Sequence, residues 1–303
     1  MIALLGHRDS PTDGVQDYCE FLARALEREG VTLTLARVDW LKKGWLVALC
    51  ELWSSSKAWH GNWVVLQYTA LAWSRHGFPF GIIAVVALLR FRAVRCGVVF
   101  HEPRHGGGKR WRDRIRNACQ AWVMRALYGL TVKAIFADPI ESIQWLPKSN
   151  SKAIFVPIGA NIPEPVLPTV DSGRNDGIRT VAIFCITGAP HASIEVKEIA
   201  QAALSAASGS SALRFVFLGR GTPEAHEEIT QAFRNISVDV SVLGLLDSNK
   251  ISDVLANSDV MLFVRGAINS RRGSAIAGIA WVRTIHLRAA RTYRISGSVI
   301  TTV

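Results

Sequence analysis

Short apolar runs alternate with longer segments of helical spacing along the first 160 residues. Six runs have the length of buried strands: Met1–Leu5, Val31–Val38, Trp63–Tyr68, Gly97–Phe100, Ala134–Ala137 and Ala153–Val156. Apolar residues recur at helical intervals in Asp17–Glu29, which Gly30 is placed to end, and in Phe80–Phe91. Ser142–Leu146 is predicted to begin a short helix. Strands that alternate with helices predict a parallel sheet with helices on its faces.

The second half repeats this alternation after a crossover rich in proline. Its predicted strands are Arg179–Cys185, Leu213–Leu218, Val238–Leu243 and Val260–Val264, and its predicted helices are Glu195–Ala207, Glu224–Phe233 and Ile251–Ala256. The crossover begins near Pro157 and includes the polar, glycine-rich turn Asp171–Gly177. We therefore predict an α/β protein of two Rossmann-like βαβ domains, residues 1–157 and 158–303. A chain of 303 residues is long enough for two domains.

The stretch Asp259–Ala280 joins a buried strand, a polar loop and a helix that opens at Gly273-Ser274. The first N–H groups of a helix have no intrahelical partner and carry partial positive charge. Arg265, Arg271 and Arg272 add full charges, and a guanidinium can hold a phosphate through two parallel hydrogen bonds. The stretch predicts a diphosphate cradle, and a basic loop before a core helix is the alternative.

Three further positions follow predicted strands, at the sheet edge that faces ligands in open α/β folds. Gly14 lies in the first loop, where a glycine lets the backbone approach a ligand, although an ordinary turn is the alternative. His101 ends a strand and can hydrogen-bond a sugar hydroxyl or move a proton, and a structural histidine is its alternative. The turn Gly219-Arg220-Gly221 could admit a nucleotide, with Arg220 reaching its diphosphate, but it is not a full dinucleotide fingerprint.

Several motifs follow one another in a specific order along roughly residues 1–280. They are DGVQDYCEFLARALEREG (Asp13–Gly30), GVVFHE (Gly97–Glu102), VPIGANIP (Val156–Pro163), GLL (Gly244–Leu246), and FVRG and RRGSAIAGIA within Asp259–Ala280. In this order they resemble the first helix, the strand ending in His-Glu, the crossover and the donor-binding half of family 4-like glycosyltransferases, which have the GT-B fold.

The resemblance implies two domains that face across a cleft, with the acceptor side first and the nucleotide-sugar side second. It implies a retaining transfer to a polysaccharide or lipid-linked acceptor, without a metal and with the nucleotide sugar as donor substrate rather than a cofactor. The donor-binding residues would be Arg220, Arg265, Arg272, Gly273 and Ser274. His101 would face the acceptor or the transferred sugar, and Gly14 would lie in the acceptor-side loop. The sequence holds no Asp-x-Asp pair for a diphosphate-bound cation.

The sequence departs from that family after Ala280. The family usually has a small-Gly-x-Pro turn there, then an apolar strand, and a glutamate that contacts the donor ribose. Residues 281–303 begin with Trp281-Val282, contain no proline or acid, and carry four arginines, Arg283, Arg288, Arg291 and Arg294. We therefore expect a second domain that is incomplete at its C-terminus, a poorly packed segment after Ala280, and slow or absent turnover.

Charge is concentrated in the first half of the chain. Residues 1–155 hold 21 Lys and Arg against 12 Asp and Glu, a net of +9, which leaves +2 of the total +11 for the rest. Arg104–Arg116 holds six basic residues against one acid, after a run of three glycines, and includes Trp111. Three interpretations of this segment are open. It is a solvated helix face, or it contacts an anionic membrane surface or a lipid-diphosphate acceptor. A nucleic-acid contact is the least favoured, because no nucleic-acid module accompanies the charge. Most of the nine tryptophans before residue 146 are expected in the core.

Cysteine spacing and hydropathy favour a cytoplasmic protein that is soluble or peripheral on the inner face of the membrane. The five cysteines show no metal-binding or redox spacing. Arg8 and Asp9 interrupt the early apolar run, so no secretory signal is expected. The longest uncharged apolar run, Gly77–Leu89, is shorter than the roughly 20 residues of a membrane-spanning helix.

Two rival functions accompany the glycosyltransferase hypothesis. A nucleotide-sugar epimerase can share the fold and would release UDP without needing an acceptor. A degenerate protein could keep the fold, bind a nucleotide sugar and lack turnover, which the altered tail favours. The residues do not identify the sugar, the nucleotide base, the acceptor or the oligomeric state.

Overall fold

A computed structural model of the chain describes residues 1–7, 13–104, 108, 110–165, 177–188, 191–207, 212–265, 268–282, 284–287 and 300–302. The chain divides into two compact units, Met1–Ile158 and Gly159–Val303. Each unit contains a parallel sheet whose strands are connected through helices. The predicted α/β fold of two Rossmann-like domains is therefore confirmed.

The first unit holds six strands and five α-helices in its described residues. The strands are β1 Ile2–Leu5, β2 Thr34–Arg37, β3 Trp63–Tyr68, β4 Arg95–Phe100, β5 Lys133–Phe136 and β6 Ala153–Phe155. The helices are α1 Gly14–Arg28, α2 Trp40–Lys43, α3 Trp45–Ser55, α4 Gly81–Phe91 and α5 Trp111–Leu130. The strands pair in parallel in the order β2-β1-β3-β4-β5-β6. All four residues of β1 are buried, as expected for a strand that is covered on both faces.

Three local predictions in the first unit were wrong. The helix expected to begin at Ser142 is instead a 3-10 turn over Ile140–Ser142. Helices α2 and α3 were not predicted, because Trp40–Ser55 is apolar on most sides and gives no clear helical stripe. Helix α1 begins at Gly14, not Asp17, because Asp13 accepts hydrogen bonds from the N–H groups of Val15 and Gln16 and caps it.

Aromatic side chains fill the core of the first unit. Tyr68, Trp73, Phe100 and Phe136 are fully buried, and the Phe100 and Phe136 rings stack with centroids 4.9 Å apart. Three tryptophans are exposed instead, and they lie on the outer helices: Trp53, Trp111 and Trp122. Most tryptophans of this unit therefore contribute to packing, as expected, while a minority remains at the surface.

The second unit holds six strands and four helices in its described residues. The strands are β7 Ile178–Phe184, β8 Ala212–Leu218, β9 Asp239–Gly244, β10 Val260–Phe263, β11 Thr284–Leu287 and β12 Ile300–Thr302. The helices are α6 Ala192–Ala207, α7 His226–Phe233, α8 Ser248–Ala256 and α9 Gly273–Trp281. The parallel order is β12-β11-β10-β7-β8-β9.

Each sheet reverses its direction of growth once. In the first unit the chain builds outward from β1 to β2 and then returns to place β3 on the other side of β1. In the second it builds from β7 to β9 and returns to place β10 beside β7. Open α/β sheets bind ligands outside the carboxyl ends of the strands at such a reversal. The topology therefore directs attention to the loops that follow β1 and β3, and those that follow β7 and β10.

The segment after Ala280 contains two strands that were not predicted from the sequence. Strand β11 pairs with β10, and β12 pairs with β11, both in parallel. The four tail arginines, Arg283, Arg288, Arg291 and Arg294, lie outside the described residues. The expectation of poor packing in this tail therefore stays a prediction.

Candidate functional site

The reversal point of the second sheet brings together the loops after β7 and β10. Arg265 follows β10 by two residues, and Cys185, Ile186 and Thr187 follow β7 directly. Strands β7 and β10 pair through Val181 with Val260 and Ala182 with Met261, so their carboxyl ends lie side by side. Arg265 thus lies at the edge where the topology predicts a ligand.

Helix α9 begins at the same edge, and no side chain of the described residues caps its N-terminus. Its N-cap residue is Arg272, and Gly273 and Ser274 are its first helical residues, as the sequence predicted. An arginine side chain has only donors and therefore cannot accept the hydrogen bonds that the first N–H groups offer. The Gly273 N–H donates to Arg271 O at 3.1 Å, and the helix dipole favours an anion at the remaining N–H groups of the first turn.

Arginine charges crowd around this helix start. Burial, together with the charges of Arg265 and Arg271, lowers the pKa of Arg272, while Glu195 raises it. The Nε of Arg265 is buried and has no hydrogen-bond partner among the described residues. Arginine does not escape such crowding by losing its proton, so an external anion with hydrogen-bond acceptors would relieve the repulsion and satisfy the donor.

Glu195 is a member of this site that the sequence analysis missed. It lies in the first turn of α6, is buried, and accepts a hydrogen bond from the backbone N–H of Thr187 at 2.7 Å. The carboxylate thereby fixes the loop after β7. Glu195 is also the acidic residue whose charge raises the pKa of Arg272. An acid in the first turn of a helix is so common that its sequence position gave no signal.

The turn Gly219-Arg220-Gly221 packs tightly against the loop after β7. Cys185 donates its N–H to Leu218 O at 2.8 Å, and Ile186 donates to Arg220 O at 2.9 Å. Gly221 has a φ of +84°, and a Cβ there would lie 2.2 Å from Ile186 O, so only glycine fits. This glycine serves the packing of the two loops, while the exposed side chain of Arg220 remains a candidate for diphosphate contact.

Burial raises the pKa of the Cys185 thiol, which lies between these loops. A hydrogen bond with the Arg220 backbone and the charges of Arg265 and Arg220 oppose that shift. Two of the three predicted donor-binding arginines, Arg220 and Arg265, therefore act on one thiol. The structure thus brings Arg220, Arg265, Arg272, Gly273 and Ser274 to the same edge of the second sheet.

In the first unit, His101 is buried directly after β4. Its Nε2 lies 2.8 Å from Gln67 Oε1, and the edge of the Tyr18 ring meets the imidazole with centroids 5.0 Å apart. Burial lowers the pKa of His101 to about 4, with Asp13 opposing the shift. The imidazole is therefore neutral at pH 7, which suits a hydrogen-bonding role better than proton transfer.

Gly14 does not lie in the loop where it was expected. It is the first residue of α1, and a Cβ placed on it would meet nothing within 4 Å. The neighbouring Asp13 is buried and pairs with Arg37 at 3.1 Å, and Arg37 also donates to Gly6 O at 2.7 Å. Nothing in the described part of the unit therefore requires glycine at position 14, and its acceptor-side role stays a prediction.

No group of three or more His, Cys, Asp and Glu side chains within the described residues is placed to hold a metal ion. None of the helices within the described ranges is both long and apolar enough to cross a bilayer.

Comparisons with known proteins identify the fold. No protein-family model and no curated protein matches the sequence. Solved structures do match over nearly the whole chain. Anabaena HepE in complex with UDP and glucose has a TM-score of 0.63 at 11% identity, with 99% of this chain and 85% of that chain covered. MnaA of S. aureus with UDP has a TM-score of 0.58 at 11% identity, with 95% and 78% covered.

A third similar structure is the UDP-GlcNAc 2-epimerase of Methanocaldococcus jannaschii. Its TM-score is 0.55 at 10% identity, with 99% of this chain and 88% of that chain covered. At such low identity the likeness concerns the fold, which is that of the GT-B proteins with their two Rossmann-like domains.

Proposed function

We propose that this chain is a nucleotide-sugar enzyme, and specifically a retaining, metal-independent glycosyltransferase of the family 4-like group. It would move a sugar from a nucleotide-diphosphate donor to a polysaccharide or lipid-linked acceptor. The observation that carries the proposal is the start of α9 at the sheet reversal, where Arg272 is the N-cap and where, among the described residues, the helix has no side-chain cap and the buried Nε of Arg265 has no hydrogen-bond partner. The presence of UDP in two structures of the same fold supports the choice of ligand.

The residues of the second unit would stabilise the leaving diphosphate. Negative charge grows on the diphosphate as the bond to the sugar breaks, so donors fixed in advance lower the barrier. Arg265, Arg272 and the N–H group of Ser274 would supply them, and Arg220 would add a further charge. This set needs no cation, which is why the proposal is metal-independent.

His101 of the first unit would contact the acceptor. The neutral imidazole donates its Nε2–H to Gln67 Oε1 and so keeps one orientation, which leaves Nδ1 to accept a hydrogen bond from a sugar hydroxyl. We do not assign it a proton-transfer step, because a group with a pKa of about 4 is a weak base at neutral pH.

An epimerase is the second candidate, because MnaA-like and UDP-GlcNAc 2-epimerase structures share the fold. A degenerate protein that binds the nucleotide sugar without turnover is the third, and the altered sequence after Ala280 favours it. The three differ in their products. A transferase releases UDP or GDP only with an acceptor, an epimerase changes the sugar without one, and a binding protein does neither.

The test begins with a thermal-shift screen across UDP-, GDP- and dTDP-sugars. A ligand at 100 times its dissociation constant stabilises a fold by about 2.7 kcal/mol, which the screen would detect. The stabilising sugar nucleotide is then incubated with and without candidate acceptors. Nucleotide release that depends on the acceptor supports the transferase. Absence of stabilisation by every nucleotide would contradict the entire proposal.

We further propose that the protein lies at the membrane surface through Arg104–Arg116. Residues 105–107 and Lys109 are outside the described part of the chain. In the described part, α5 begins with Trp111, whose side chain is 66% exposed, and the Arg112 guanidinium lies 5.4 Å from its ring. Exposed tryptophan beside arginine is favoured at a bilayer interface with anionic lipids.

A further inference from the structure

A pocket within the first unit is lined by cations and has no assigned ligand. It has a volume of about 580 Å³ and lies between the chain that follows β3 and β4 and the body of α5. Its charged lining consists of Arg75, Arg104, Arg116 and Glu102. Because β3 and β4 end here, the pocket is at the carboxyl edge of the first sheet, where α/β folds bind ligands.

Two of the arginines are held in place by acids that lie outside the pocket lining. Arg104 Nε contacts Asp138 at 3.1 Å, and Arg116 Nη2 donates to Asp113 at 2.8 Å. A guanidinium has five N–H donors, and one carboxylate contact uses at most two of them. Both side chains therefore keep donors for a ligand while their positions are fixed, which lowers the entropy cost of binding.

Arg75 is exposed at the pocket and is not neutralised. Among the described residues, no acidic side chain lies within 4 Å of it. A free guanidinium beside two anchored ones favours a ligand with several oxygens and negative charge. A phosphate fits this requirement better than a neutral sugar.

Tyr68 supplies an independent sign of a missing partner. Its side chain is fully buried, it lines the pocket, and its hydroxyl has no hydrogen-bond partner among the described residues. A buried hydroxyl without a partner is unfavourable, and such groups are rare in folded proteins. Burial, and then the charge of Glu102, raise the pKa of Tyr68, so the hydroxyl keeps its proton and can donate.

The wall of the pocket is rigid on the side of Gly77. Gln120 Nε2 donates to Gly77 O at 3.0 Å, and a Cβ on Gly77 would lie 2.8 Å from Arg116 Cδ. Gly77 also has a φ of +79°, which favours glycine. The turn after β3 is thus fastened to α5, so the pocket is preformed.

We propose that this pocket binds the phosphate group of a phosphorylated polyol, such as a sugar phosphate. Arg75, Arg104 and Arg116 contact the phosphate, and Tyr68 donates a further hydrogen bond. Glu102 accepts from a hydroxyl of the polyol, which explains an acid in a cationic pocket. The inference rests on the proposed function in one respect only, which is that this ligand would be the acceptor, either free or as the head group of a lipid.

The soluble test uses glucose 1-phosphate as the probe, with UDP present at saturation so that the second unit is occupied. We expect calorimetric binding to the full chain that glucose alone does not show. Arg75→Gln should weaken it at least tenfold, and Tyr68→Phe should weaken it about threefold to tenfold without lowering the melting temperature. Arg28→Gln, a change of equal charge at an exposed position on α1, should leave it unaltered.

The lipid arm uses vesicles that contain either phosphatidylinositol or phosphatidylserine at equal charge. If the protein prefers phosphatidylinositol and Tyr68→Phe abolishes this preference, the ligand of the pocket is a lipid head group. Probe binding that is equal in the parent, Arg75→Gln and Tyr68→Phe, or absent in both arms, overturns the inference. UDP affinity is measured on the same variants and should not change, because this pocket contains no residue of the second unit. A change in probe binding alone therefore concerns this pocket, and a failure to bind UDP concerns the proposed function.

Discussion

Helices α1 and α9 both begin beside the strand reversal of their sheet, but their first turns are built with opposite charge. Helix α1 is capped by Asp13, whose carboxylate accepts from two backbone N–H groups and pairs with Arg37. Helix α9 has Arg272 as its N-cap and no side-chain cap. Among the described residues, the first helix start therefore has a side-chain acceptor for its N–H groups, and the second has none.

The same local geometry, a helix start after a strand, can therefore be stabilised from within the chain or can be open to an anion. Every helix start presents unpaired N–H groups and a partial positive charge. Where an acid caps the helix, an incoming phosphate would meet like charge and occupied donors. Where an arginine stands instead, its side chain accepts from none of the donors, and the charges add. On the proposed function, the residue at the N-cap is thus what distinguishes the diphosphate-binding helix start from the other.

The largest expected effect is on the free energy of unfolding, through the start of α1. Asp13→Ala removes the cap of α1 and leaves the partly buried Arg37 without its carboxylate. We expect a loss of about 3 kcal/mol in the free energy of unfolding, because a missing cap costs about 1 kcal/mol and a broken, partly buried ion pair adds to it. Urea unfolding of the parent and variant measures it.

Asp247→Ala is the matched control for this change. Asp247 caps α8 through the Lys250 N–H at 3.0 Å, but its ion pair with Lys250 is exposed. We expect a clearly smaller loss there, because this cap and its ion pair are exposed to solvent. Equal losses at Asp13 and Asp247 would show that the Arg37 pair adds nothing to the first helix start.

The next largest effect is on UDP binding, through the start of α9. Arg272→Ala should weaken UDP binding by roughly 1.5–3 kcal/mol, the contribution of a hydrogen bond to a charged group. Its stability should not fall, because the charges of Arg265 and Arg271 already disfavour Arg272. Isothermal calorimetry with UDP provides the measurement, and Arg234→Ala, an exposed arginine at the end of α7, is the control.

Arg272→Asp tests the contrast between the two helix starts directly, because it gives α9 an acidic N-cap like that of α1. We expect it to stabilise the fold by about 1 kcal/mol while abolishing UDP binding. If the Arg272→Asp protein bound UDP as tightly as the parent, the assignment of α9 as the phosphate cradle would be refuted.

The elements of the proposed cradle could be predicted from the sequence because they are contiguous. A strand, a basic loop and a helix start within Asp259–Ala280 could be recognised from local spacing, and the structure has them in that order. Glu195 and the pocket around Arg75 could not be recognised, because their members come from segments far apart in the chain. The capping of α1 by Asp13 was also missed, and as a result Gly14 was assigned to a loop when it begins a helix.

His101 shows the limit of motif reasoning in a different way. Its position after β4 was predicted, but burial against Gln67 and Tyr18 depends on tertiary packing that no local pattern contains. The lowered pKa follows from that burial, and it favours hydrogen bonding over proton transfer. Position was thus readable from the sequence, while chemical state was not.

A third prediction concerns stability against pH, and it affects the first unit alone. His101 has a pKa of about 4 in the folded chain and about 6.5 when unfolded, so the unfolded state binds the extra proton first. Stability should therefore fall as pH drops from about 6.5 towards 4, by on the order of 1 kcal/mol per pH unit.

His101→Gln is the variant that isolates this effect, because Gln does not titrate and can still hydrogen-bond with Gln67. Urea unfolding at pH 7 and pH 5 should show a smaller loss of stability in the variant than in the parent. An identical loss in both proteins would mean that other groups account for the pH dependence.

The smallest expected effect per residue concerns the outer surface of the first unit, at the start of α5. Arg112 and Arg114 are exposed beside Trp111, and each basic residue near an anionic bilayer contributes about 1 kcal/mol. Arg112→Gln with Arg114→Gln should therefore weaken sedimentation with anionic vesicles about tenfold or more, and added salt should weaken the parent in the same direction. The double change Arg24→Gln with Arg28→Gln removes equal charge from α1 and should have little effect. Equal sedimentation of the parent with neutral and anionic vesicles would reject the membrane proposal, and it would leave the solvated helix face as the interpretation of Arg104–Arg116.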